Sequence, residues 1–218
     1  MELLQLSLLG GALALDATSV GQFMVSRPLV AGALTGWLLG APEVGIGVGA
    51  ILELYLLVSY PTGGSRFPEG ATASVVAASA AADGAAGAVA LAVAAGLVWG
   101  QLAGSTVTWQ RRLNQRLVPD PAMAPTTGPT LAMAHLAAVL LDFVRGGLVT
   151  LVGVLLARGV VGALAGSWPV TAETTLGILL VGGAVSTGIL MRDFGGFGRR
   201  QVAFLAGLVL ASLGVGLL

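Results

Sequence analysis

The sequence predicts an all-α polytopic membrane protein, with several transmembrane helices and, in the N-terminal third, re-entrant or broken helical hairpins. Three observations carry that expectation. Hydrophobic residues make up 56% of the chain and charged residues 9%, whereas soluble domains average about 25% charged because their whole surface must meet water. Long apolar runs recur after residue 85, the length that a helix rising 1.5 Å per residue needs to cross a bilayer. Glycine fills 34 of 218 positions, a composition that lets membrane helices approach backbone to backbone.

In the N-terminal third the apolar stretches are short. Leu3–Leu15 stops at Asp16, and Leu29–Leu39 contains Gly32 and Gly36 and ends at Gly40. After Pro42-Glu43 comes Gly45-Ile46-Gly47-Val48-Gly49, then Ala50–Tyr60 with Glu53 inside it. Ala71–Ala82 is built of small residues. Helices interrupted at membrane depth survive only where protein or a water-filled cavity satisfies their backbone, and in transporters such breaks line substrate sites. Ordinary short helices, tilted or lying at the interface, are the plainer alternative. A second short glycine-rich stretch, Leu176–Leu190, is similar to Leu34–Leu52, which marks either two related halves or a likeness of composition alone.

Four later spans follow: Ala85–Val107, His135–Leu156, Leu176–Met191 after the capping turn Thr171–Thr174, and Val202–Leu218. A cytoplasmic connector of about 108–130 joins the first two, all within one membrane-embedded unit covering 1–218. All ten basic residues are arginines, and they cluster at Arg111, Arg112 and Arg116 and again at Arg192, Arg199 and Arg200. The positive-inside rule places both clusters in the cytoplasm, with two crossings between them.

Composition also excludes. A formal net charge of zero gives no field to gather nucleic acid. The absence of cysteine removes disulfides and thiolate chemistry, and the lone His135 has no metal-ligating companion in sequence. No phosphate-cradling loop, HExxH or GxSxG pattern is present, so no cofactor, metal or catalytic residue is expected. The acidic Met1-Glu2 start does not read as a cleavable signal.

Ionisable groups within apolar runs are the functional candidates, because the membrane makes them costly. Glu53 is the sharpest: it either accepts hydrogen bonds from sugar hydroxyls or pairs with Arg27 or Arg66. Asp16, with Gln22, Ser26 and Arg27 following, either lines a polar site or ends a helix at the interface. The loop Ser59–Gly70, with Thr62, Gly63, Gly64 and Ser65, offers amides and hydroxyls to a ligand or merely connects two spans. His135, Asp142 and Arg145 fall on one helical face and read as a structural polar seam, with Asp142 and Arg145 neutralising each other at i, i+3.

The run Leu15-Asp16, Gly21-Gln22-Phe23-Met24-Val25-Ser26-Arg27-Pro28-Leu29-Val30-Ala31-Gly32 closely resembles the start of the mannose/fructose/sorbose-type enzyme IIC components of the bacterial sugar phosphotransferase system. Thr35–Gly40, Gly45–Gly49, Ile51–Leu54 and the loop through Pro61, Gly63, Gly64 and Pro68 continue the pattern. The likeness extends more loosely through Arg112, Asn114, Leu117, Ala134–Leu136, Arg145 and Gly177–Gly188. The resemblance implies a permease subunit of the inner (plasma) membrane that moves a sugar, with phosphoryl transfer left to its partners. It implies an enzyme IID membrane partner, cytoplasmic IIA and IIB phosphocarriers, trimers of IIC–IID pairs and an elevator-like motion. It places Glu53 and the polar loop in the sugar site, with Asp16 and Gln22 nearby. The alternative is a divergent regulatory or structural membrane subunit that no longer transports, in a cell with an incomplete phosphotransferase system.

Overall fold

A computed structural model describes residues 1–59, 65–82, 84–118 and 127–216, the helix from residue 197 mainly by its backbone. Every regular element among the described residues is helical: α1 (Glu2–Thr18), α2 (Pro28–Leu38), α3 (Pro42–Tyr55), α4 (Gly70–Ala80), α5 (Ala86–Asn114), α6 (Gly128–Leu164), α7 (Ala172–Asp193) and α8 (Phe197–Gly216), with a 3-10 turn at Ala165–Ser167. Three of them, α5, α6 with its 3-10 turn, and α7, are long and apolar enough to cross a membrane. The chain is thus a multi-pass membrane protein.

Along α6 the pattern of burial is the reverse of a soluble protein's. Leu136, Leu140, Leu148 and Leu155 of α6 are exposed, while Asp142 and Arg145 of the same helix are buried. A leucine-covered exterior over a polar seam suits a hydrocarbon surround.

The N-terminal third is made of short pieces. At 1.5 Å per residue α2 and α4 are each roughly 16 Å long and α3 roughly 21 Å, all less than the ~30 Å hydrocarbon core. Prolines at the N-terminal positions of α2 and α3 set their starts, where the missing N–H costs nothing. Gly40 adopts φ +72° and closes α2, a conformation that glycine supplies without a Cβ clash. The two helices fold back as a hairpin through Gly32 and Gly36 against Gly45 and Gly49. A Cβ on Gly32 would stand 2.5 Å from the Gly45 carbonyl oxygen and 2.8 Å from Gly49 Cα. Small residues four apart let two backbones meet in this way.

At the centre lies α4. Every residue from Ala71 to Ser79 is buried, and α1, α2, α3, α5 and α6 all pack on it. Nothing larger than valine occurs along Gly70–Ala80. The segment leading into α4 runs against α5, where Glu69 N donates to the Gly100 carbonyl at 2.9 Å and a Cβ on Gly104 would collide with the Phe67 carbonyl. α1 pairs chiefly with α6, held by Ser7 Oγ donating to the Gly147 carbonyl at 3.0 Å. α7 leans on α3, with Ser186 Oγ donating to the Tyr55 carbonyl at 3.3 Å.

Several boundaries differ from the sequence expectation. α6 is 37 residues, roughly 55 Å, and starts at Gly128, inside the expected connector. α5 likewise continues to Asn114. Thr127, whose hydroxyl accepts from Thr130 N, and the proline in the first turn nucleate α6 early. Leu34–Leu52 and Leu176–Leu190 are not equivalent halves: the first bends through the α2–α3 turn, whereas the second lies inside one continuous helix. Their likeness is compositional.

Candidate functional site

The ends of four short pieces converge on one cleft. It is lined by Ala17 of α1, by Ser26, Arg27 and Pro28 at the start of α2, by Leu56 and Ser59 after α3, and by residues 67–71 at the start of α4. The space between their atoms is about 430 Å³, part of it open to the exterior. The N-termini of α2 and α4 both point into this region, where Ser74 Oγ donates to the Pro28 carbonyl at 2.6 Å and ties the two helices together. Helix N-termini present unpaired N–H groups and the positive end of the peptide dipoles.

Arg27 forms one wall. Its Nε donates to Glu53 Oε1 at 2.7 Å, and a guanidinium nitrogen bonds the same oxygen. Glu53 Oε2 accepts from Leu29 N at 3.3 Å, so this carboxylate also meets the first turn of α2. The pair is not sealed, since the side chains of Arg27 and Glu53 remain 28% and 20% exposed. Of the two partners the sequence offered for Glu53, the structure selects Arg27. Arg66 lies instead against α5 beside Ser105, Thr108 and Arg112.

Asp16 shapes the approach to Arg27. Its Oδ1 accepts from Phe23 N at 2.7 Å and its Oδ2 from Ser26 N at 2.8 Å. In the loop so closed, Gln22 and Met24 take φ values of 54° and 65°, a region that side chains other than glycine rarely occupy. Asp16 thus holds the loop, while Gln22 is exposed on it. Thr62, Gly63 and Gly64 lie outside the described residues. Ser65 is exposed, and its carbonyl accepts from Arg111 Nη1 at 3.0 Å.

Behind the cleft lies an ionic cluster that the sequence disclosed only in part. Arg145 Nη2 reaches Glu69 Oε1 at 2.9 Å and Asp142 Oδ1 at 3.0 Å, and Nη1 reaches Glu69 Oε2 and Thr106 Oγ1, each at 3.0 Å. Thr18 Oγ1 donates to Asp142 Oδ2 at 2.7 Å, and Ser19 Oγ bonds the same oxygen. One guanidinium therefore joins α1, α4, α5 and α6 through two buried carboxylates. The i, i+3 pairing of Asp142 with Arg145 is present, but Glu69 completes it. The signal was legible: an acid directly before a short apolar helix, and an arginine within a long one, each needing a partner. His135 does not join this seam. It is exposed, and seven residues carry it roughly 10 Å down the helix axis from Asp142.

Short helices around a cleft bordered by Ser26, Arg27, Ser59 and Glu69, set among membrane-crossing helices, are an arrangement typical of polytopic transport proteins. The sequence matches the family described as the PTS system sorbose-specific IIC component over residues 2–192. The chain belongs to that family, and is a membrane permease subunit of a phosphotransferase-system sugar transporter. A solved structure titled "Structure of membrane protein" superposes with a TM-score of 0.73 at 18% identity, covering 98% of this chain and 90% of the other; it shows the same fold. No curated protein matches the sequence.

Proposed function

We propose that the chain carries a hexose across the bacterial inner membrane through the cleft at the starts of α2 and α4. An enzyme IID subunit would be its membrane partner, assembled as trimers of IIC–IID pairs. Cytoplasmic IIA and IIB proteins would phosphorylate the sugar as it emerges. The observation that carries this reading is the cleft itself. Arg27, bonded to Glu53 and only partly buried, stands at its wall, and the starts of two short helices open onto it. In this reading a sugar hydroxyl donates to Glu53 while Arg27 keeps that carboxylate ionised. Asp16 and Gln22 shape the approach. The alternating directions of α5, α6 and α7 bring the arginines that end α5 and α7 to one face, which the positive-inside rule assigns to the cytoplasm.

The Arg27–Glu53 bond itself favours a second reading, a structural or regulatory subunit in which Glu53 serves only as a counter-ion. Hexose uptake into proteoliposomes containing the chain and its IID partner separates the two. Glu53→Gln is expected to lower uptake at least 10-fold with assembly retained, and Arg27→Gln combined with Glu53→Gln is expected to remain inactive. Recovery of uptake in the double variant would assign Glu53 to the counter-ion role.

A further inference from the structure

A second site lies on the far side of α5, away from the sugar cleft. Along the outer seam of α5 and α6, two apolar hollows follow one another. The first, about 720 Å³, is bounded by Trp109, Leu113, Leu141, Val144 and Leu148. The second, about 460 Å³, continues it through Leu148 and Val149 to Trp99 and Val152. From Leu113 to Trp99 the groove follows α5 for roughly 21 Å. That is enough for the acyl chains of one leaflet, which fill half of a ~30 Å hydrocarbon core.

What distinguishes this groove from a bare apolar face is its arginine-rich end. Ser105, Thr108, Trp109 and Arg112 fall at i, i+3, i+4 and i+7 on α5 and share one face. With Arg66 they enclose a polar pocket of about 400 Å³. Trp109 belongs to both the pocket and the apolar hollow, the position an interfacial tryptophan takes between headgroups and tails. Among the described residues no acidic side chain lines either space, and neither Arg66 nor Arg112 forms a salt bridge. Gln110 lines the first hollow and is 6% exposed. Arg145 also borders the hollow, but its guanidinium is held by Glu69, Asp142 and Thr106.

We infer that an anionic phospholipid, such as phosphatidylglycerol, binds lengthwise in this seam. Arg66 and Arg112 hold its phosphate, Trp109 sits between headgroup and tails, and the acyl chains lie between α5 and α6. Each feature of the lipid meets a feature of the site: negative charge against two guanidiniums that form no salt bridge among the described residues, and tails against the apolar groove.

Native mass spectrometry of the full-length protein in detergent tests this. Phosphatidylglycerol is expected to be retained at least 10-fold better than phosphatidylcholine with the same chains. Arg66→Gln with Arg112→Gln should bring the two lipids level, and Val144→Trp, which fills the groove and leaves the arginines intact, should reduce both. Equal retention of the two lipids by the wild type, or undiminished phosphatidylglycerol selectivity in the arginine variant, would overturn the proposal. So would thermal stabilisation by glycerol 3-phosphate equal to that by the lipid, which would mark a soluble-anion site. An oligomer that Val144→Trp dissolves, with lipid adducts unchanged, would assign the groove to a second copy of the chain and likewise overturn it.

Discussion

Arg145→Met is expected to destabilise the fold by about 3–5 kcal/mol, the cost of breaking a buried ion pair by removing one partner. The arginine is 8% exposed, and it is the cation shared by Glu69 and Asp142, which are 1% and 2% exposed. Removing it leaves two carboxylates facing each other without a counter-charge. It also frees Thr106 and unties the first residue of the α4 segment from α6. Buried charges are not indispensable in themselves, and apolar or neutral replacements for a whole cluster are often tolerated. Adding Glu69→Gln and Asp142→Asn to Arg145→Met should therefore recover at least half of the loss. Thermal or denaturant unfolding in detergent, followed by circular dichroism, reads both changes. A triple variant no more stable than the single one would show that the charges themselves, and not their balance, hold these helices.

Gly45→Val is expected to disrupt the α2–α3 hairpin. A Cβ on Gly45 would collide with the Gly32 carbonyl oxygen and stand 2.6 Å from Gly36 Cα and 2.8 Å from Gly36 N. These are backbone atoms that cannot swing aside, so the two helices must separate. Overpacking costs about 1–3 kcal/mol in ordinary cores and occasionally more; close contact with three backbone atoms of α2 places this position at the upper end. Because the same hairpin carries Arg27 at one end and Glu53 near the other, its opening should also weaken the sugar binding proposed for the cleft. Gly47 is the control. It lies two residues away on the same helix, and a Cβ there would meet nothing within 4 Å. Gly47→Ala should be neutral or stabilise by up to about 1 kcal/mol through helix propensity. Thermal unfolding of the two variants side by side checks this, and equal losses would show that glycine content, not the close approach, is what the hairpin needs.

The membrane fold was legible because hydrophobic length is a one-dimensional property. The spans at Ala85–Val107, His135–Leu156 and Leu176–Met191 all fall inside membrane-length helices. The shortness of the N-terminal pieces was equally visible, since proline and glycine at positions 28, 40 and 42 leave no room for a crossing helix. Pairing across the chain was harder to see. Glu53 had two arginines of similar standing within reach in sequence, and only the fold-back of α2 on α3 chooses Arg27. Glu69 and Arg145 are 76 residues apart, and nothing local in either segment names the other; only the general need of a buried charge for a partner connects them. His135 shows the opposite error. Its helical phase matches Asp142, but phase fixes the side of a helix and not the depth, and residue 135 lies beyond the packed portion of α6.

The sealed central helix has a practical consequence. The chain contains no cysteine, so a single thiol introduced along Ala71–Ser79 would be the sole target of a maleimide. In the arrangement described here, small thiols at Ser74 or Ala77 are walled off by five neighbouring helices. A reagent that reaches them during turnover would therefore be reporting that α4 had parted from its sheath, so the buried rod doubles as a gauge of how far the protein opens as it works.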